Sequence, residues 1–317
     1  MFGFGKKPAG RQDPEKLAQL TDHQLHLLFI EKNWYSMDKA SRLAVLQEVE
    51  NRRARLDGRE PVRLEEGSRE EFEKPESMGY YSDTERVIRV NYRFLEGASA
   101  AHSPMQALDT VVHEGRHAMQ HDVVREHPDK VAIQILNEWR SSTAKYFAPP
   151  SKDDPDGARK FAIYAMQSIE IDARRTAREE LLKLQAEFKA KGLNTRAIDA
   201  QIMRNLREEY AVIWLIQNKL TLEKLDELEK MVLAAMRERF PDVDVSKLRL
   251  FDHARILLKA PPIDRLKNPI ELIALMDRYE REKLAAVEEK PLNKVDEKTD
   301  DKLDGKAANR IAGLKLR

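Results

Sequence analysis

Residues 103–124 read SPMQALDTVVHEGRHAMQHDVV, and the rest of the chain is interpreted outward from them. Ser103 can accept a free helical N–H, and Pro104 suits the first helical position, so a helix begins there. Leu108, Val111, Val112, Ala118 and Met119 recur at three- and four-residue spacings, which predicts an amphipathic helix of roughly five turns. On such a helix His113 and His117 project from one face, where two imidazoles can grip one divalent ion. Glu114 directly follows the first imidazole, so its carboxylate is placed to take a proton from a metal-activated water and pass it to a leaving amine. The pattern points to peptide-bond hydrolysis. Without a metal, the same residues are two partly buried helix histidines and a solvated glutamate. Gly115 costs roughly 1 kcal/mol against alanine inside a helix, which implies close backbone approach or room for a ligand.

Composition narrows the function classes. Among 317 residues, 56 basic side chains meet 55 acidic ones, so no net field attracts a polyanion and nucleic acid is excluded as a partner. Cysteine is absent, which removes thiolate chemistry and sulfur-ligated zinc; any zinc must be held by nitrogen and oxygen. Charged residues make up 35% of the chain and glycines number only 12, which favours amphipathic helices over an extended β architecture. No run has the length of a signal peptide or of a membrane span, so the expected location is cytoplasmic, or outside the cell by a signal-peptide-independent secretion route.

Four segments follow from the apolar spacing and its breaks. Residues 1–58 read as a helical hairpin, with one helix from Pro14 to Ile30 and a second headed by Ser36. Its expected use is as a packing element. Residues 59–182 carry the motif helix. They also hold three β-rich stretches, Val62-Arg63-Leu64, Gly79-Tyr80-Tyr81 and Arg86–Val90, which predict a small antiparallel sheet. An edge strand of that sheet can pair with an extended peptide. A loop at Pro149–Gly157 precedes a helix from about Ala158 through Leu182. Residues 183–289 form a C-terminal helical region, and residues 290–317, mostly Lys, Asp and Glu, read as a disordered tail. The fold class is α+β and predominantly helical.

A catalytic zinc takes three protein ligands, so the two imidazoles need a partner. His121 lies one turn on, but three ligands in line along one helix spread over roughly 12 Å of rise. A third histidine six residues beyond His117 would fall at Val123, and His127 is out of step. Glu170 and Asp172 interrupt the polar side of the downstream helix, about 200° apart, so only one can face the ion. Asp109, one turn before His113, is placed to orient an imidazole. Tyr80, Tyr81, Tyr164, His102 and His253 are chemically suited to donate to an oxyanion.

His113-Glu114-Gly115-Arg116-His117, with Gln167-Ser168-Ile169-Glu170-Ile171-Asp172-Ala173 downstream, resembles the zincin metallopeptidases of the glutamate-liganded, gluzincin type. The likeness spans roughly Pro61 to Leu182 and implies a zincin-like core, with Zn2+ held by His113, His117 and Glu170 and with Glu114 as general base. Arg174 stands where that family carries a carboxylate four residues after its ligand glutamate, and Asp172 lies two residues away. With the upstream hairpin, the arrangement is also similar to metallopeptidase domains of bacterial secreted toxins and effectors. That likeness implies a protein or peptide substrate, a secretion machinery and a cognate inhibitor. The alternative function is a helical interaction or scaffold protein with a structural or vestigial metal site.

Overall fold

Thr21 interrupts what the apolar spacing reads as one long N-terminal helix. In the computed structural model, which describes residues 14–73, 77–97 and 102–288, Thr21 Oγ1 accepts from Gln24 N while the Gln24 side chain bonds back to Thr21 N. This reciprocal cap starts a new helix, so the expected single helix is three short ones: α1 (Pro14–Ala18), α2 (Asp22–Leu27) and α3 (Glu31–Trp34). Helix α4 (Lys39–Asp57) starts after Asp38 rather than at Ser36, because Asp38 Oδ1 takes Ser41 N at 2.7 Å. It stops at Gly58 in the left-handed conformation, φ 63°.

The sheet contains β1 (Arg63–Glu66), β2 (Gly79–Ser82) and β3 (Val87–Val90) in the order β1-β3-β2. Strands β2 and β3 form the expected antiparallel hairpin, but β1 runs parallel to β3, so the sheet is mixed rather than antiparallel. The chain between β1 and β3 is long enough for the crossover that parallel pairing requires. Val87, Ile88 and Val90 are buried, as the central position of β3 demands. The outer edge of β1 is closed by Gln47 of α4, which donates to Val62 O at 2.9 Å and accepts from Leu64 N at 2.8 Å.

Helix α5 (Pro104–Arg125) begins where predicted, with Ser103 Oγ accepting from Gln106 N at 3.2 Å. Helix α6 (Ile133–Ala144) follows. The helix expected from Ala158 through Leu182 is two, α7 (Gly157–Ala165) and α8 (Ser168–Ala190). At the break Gln167 uses its side-chain amide twice on Phe147, accepting from its N and donating to its O, both at 2.9 Å. The charged C-terminal helical region comprises α9 (Arg196–Lys219), α10 (Leu222–Arg239), α11 (Asp252–Lys259) and α12 (Pro269–Glu288). The expected tail, residues 290–317, lies outside the described residues.

Two compact units divide the chain. The first takes the described part of Met1–Met119 together with Thr176–Met203, and there Leu46, Phe72, Ile88 and Val111 are buried. The second takes Gln120–Arg175 and the described residues from Arg204 onward, around a core that includes Ile163, Met166, Ile213, Ile216, Leu257 and Met276. Helices α5 and α8 each contribute residues to both units. Among the described residues no helix is long and apolar enough to cross a membrane.

Candidate metal centre

The first unit carries the histidine motif. His113 Nε2 and His117 Nε2 face one another at 3.1 Å, their rings nearly perpendicular, and His117 is 9% exposed. Two nitrogens at Zn–N distances of 2.0–2.1 Å around a tetrahedral ion lie about 3.3 Å apart, so the pair is spaced as zinc ligands are. Glu114 is buried, and its Oε2 accepts from Tyr81 N at 2.9 Å. Tyr81 belongs to β2, the edge strand, and its N–H points away from β3 toward the motif helix. No other described residue bonds the Glu114 carboxylate, which leaves Oε1 unengaged.

Two glycines permit close approach at this helix. At Gly79 a Cβ would meet Thr110 Cγ2 at 2.7 Å and Arg89 O at 3.0 Å, so β2 and α5 approach more closely than any side chain at that position allows. Gly79→Val should therefore displace β2 from Thr110 and Glu114, at about 1–3 kcal/mol of overpacking. A lowered urea midpoint, accompanied by faster amide exchange at Tyr81, is the expected result; an unchanged midpoint would show that the strand is free to move. At Gly115 a Cβ would meet Glu50 Oε2 at 2.6 Å, which identifies close approach as the reason for that glycine. Arg59 donates from Nη2 to Gly115 O at 3.0 Å and forks onto Glu50, Nη1 to Oε1 at 2.6 Å and Nη2 to Oε2 at 3.0 Å. Both side chains of the pair are almost wholly buried. Glu50 lies on α4, so the N-terminal segment read as packing supports the motif helix from behind.

The second unit takes up the last turns of α5. Gln120, fully buried, donates to Ile169 O at 3.1 Å and to Asp172 Oδ2 at 2.7 Å, tying α5 to the first turn of α8. Arg175 Nη2 reaches Asp172 Oδ1 at 2.5 Å within α8, so both oxygens of Asp172 are engaged, one by α5 and one by its own helix. Glu170, 1% exposed, accepts from Tyr146 OH at 3.1 Å. For Tyr164, burial first and then the nearby Glu170 carboxylate keep the hydroxyl well above the ordinary tyrosine range and therefore neutral. The chain matches no family model, no curated protein and no solved structure.

His113 and His117 belong to the first unit and Glu170 to the second; their donors, like those of Asp122, Glu126 and His127 within the second unit, are of the kinds that could hold a metal ion. Two nitrogens and one carboxylate oxygen, with no sulfur, are a donor set that suits zinc. Asp109 accepts from Gln201 Nε2 at 3.4 Å. Of the residues suited to an oxyanion, Tyr80 is engaged by Glu71 and Arg89, the Tyr81 hydroxyl by Asp83, and His253 by Glu280. His102 packs edge-on against Phe94. Sequence reasoning did not single out Tyr146, Gln120, Glu50 or Arg59. Tyr146 sits beside a proline-rich loop without periodicity, and the other three matter through partners distant in sequence.

Proposed function

We propose that this protein is a zinc-dependent peptidase, with His113, His117 and Glu170 as metal ligands and Glu114 as general base. The observation that carries the reading is the pair of Nε2 atoms at 3.1 Å, with the adjacent Glu114 carboxylate fixed by a backbone N–H of the edge strand. Zinc in such a site supplies Lewis acidity toward water and toward a carbonyl oxygen. The chain supplies the proton path: Glu114 Oε1 takes the proton of the attacking water and returns it to the departing amine nitrogen. Tyr81 N–H keeps Glu114 Oε2 in place, which limits rotation of the carboxylate during the transfer. Tyr146, whose hydroxyl donates to Glu170 Oε1, holds the orientation of that carboxylate. A protein or peptide substrate, signal-peptide-independent delivery and a cognate inhibitor belong to the same reading.

Metal analysis of the purified chain should give one equivalent of zinc, lost in His113→Ala. The wild-type protein should generate new peptide termini in a denatured protein pool, and a chelator should abolish them. A chain that takes up no zinc, or one whose digest is indistinguishable from buffer, defeats the proposal.

A further inference from the structure

The second unit holds two neighbouring side chains whose hydrogen-bonding groups find no partner in the protein. Asn137 and Arg140 stand one turn apart on α6, so they share a face of that helix. Asn137 is 9% exposed, yet its amide makes no hydrogen bond to any described residue. Arg140 is half-buried, and its guanidinium makes neither a hydrogen bond nor an ion pair among the described residues. Neither residue belongs to the candidate metal centre. Groups this enclosed are rarely left unbonded, because shedding water without a replacement partner is costly, and more so for a charge.

The atoms left open are donors. Asn137 Oδ1 and Arg140 Nε are shut off from solvent, whereas Asn137 Nδ2 and the two Arg140 Nη atoms are unbonded without being enclosed. Phe240, at the end of α10, carries the guanidinium on its ring, with Cζ 5.4 Å from the centroid. Arg239 lies 5.8 Å from the same centroid, but its Nη1 is spent on Thr143 O in the last turn of α6. Burial pulls the Arg140 guanidinium below its ordinary value, and the charge of Asp242, which is exposed and forms no ion pair with it, acts in the opposite direction. Asp242 would repel a dianion more strongly than a monoanion, so the open donors suit an acceptor of single negative charge.

We propose that this face of α6 binds a carboxylate group. Its two oxygens lie in one plane and can take the Arg140 fork and the Asn137 N–H together, while its single charge balances a guanidinium that has no ion pair of its own. The group can arrive on a small organic acid or at the C-terminal end of a peptide.

Calorimetric titration of the intact chain with propionate, and separately with acetyl-trialanine carrying a free C-terminus, tests the proposal. One site should appear and weaken as salt rises, while propionamide and the amidated peptide should bind weaker by about tenfold or more. Binding of propionate alone identifies a small-acid site, and equal or tighter binding of the peptide identifies a chain-end site. Arg140→Lys keeps the charge but not the fork, and should lower affinity by about tenfold. Asn137→Leu removes an unbonded amide at similar volume, so it should weaken binding without lowering the urea midpoint. Asp242→Asn should tighten binding. Equal affinity for propionamide, tighter binding of inorganic phosphate than of propionate, or no heat from either carboxylate probe at millimolar concentration overturns the proposal, even if the Arg140 variant fails to fold.

Discussion

Glu50→Ala should destabilise the protein by about 3–5 kcal/mol, the cost of removing one member of a buried ion pair, with Asp57, 3.5 Å from Arg59 Nε, too distant to replace the forked contact. Arg59 would keep its charge in a site where its side chain is 1% exposed, and Val62 N would lose the oxygen it donates to at 3.1 Å. The motif helix would suffer with it, because Arg59 also donates to Gly115 O and is held in place by Glu50. A double-mutant cycle separates the charge from the packing. Replacing Glu50 by Leu and Arg59 by Met together should destabilise much less than either change alone, since two apolar side chains of similar volume remove both charges of the fork and Asp57 keeps Arg53 as a neighbour. Urea unfolding followed by circular dichroism reads all four proteins. If the double change costs the sum of the two single changes, the charges are not coupled and the two side chains contribute independently. Gly115→Ala should behave like a milder version of the same lesion, because its new Cβ would strike Glu50 Oε2.

The motif helix was legible because its information is local: a cap at Ser103, an apolar stripe, and two imidazoles one turn apart. Its glycine was half legible. A helical glycine announces that something approaches closely, but Glu50 and Arg59 come from positions far upstream, and no spacing rule connects them to Gly115. The choice between Glu170 and Asp172 followed the same logic. Helical phase says that only one can face an ion, while the engagement of Asp172 by Gln120 and Arg175 is a tertiary and local fact that no spacing displays. The direction of β1 was not legible, because β-branched content marks a strand without fixing whether its neighbour runs parallel. Nor was the break between α7 and α8. Met166 and Gln167 are ordinary helical residues, and it is the bonding of Gln167 to Phe147 that accompanies the interruption there. In each case the missing information lay in a tertiary partner.

Glu114→Gln should retain zinc and stability while losing activity by a factor of about 10²–10⁴, the range that positioned acid–base catalysis contributes. The amide oxygen can still accept Tyr81 N–H, so the side chain keeps its place against β2, but the amide no longer takes a proton from water. The change should appear in kcat with little effect on KM, because the carboxylate acts on the transition state rather than on bound substrate. His113→Ala should differ by losing the metal as well as the activity, so comparing the two variants separates proton transfer from metal binding. The geometry makes a further distinction. A glutamate serving only to anchor the edge strand would be replaced well by glutamine, since the Tyr81 contact survives. Full activity in Glu114→Gln with zinc bound would therefore leave Glu114 a purely structural role, whereas a deep loss at unchanged zinc content would place the proton on its carboxylate.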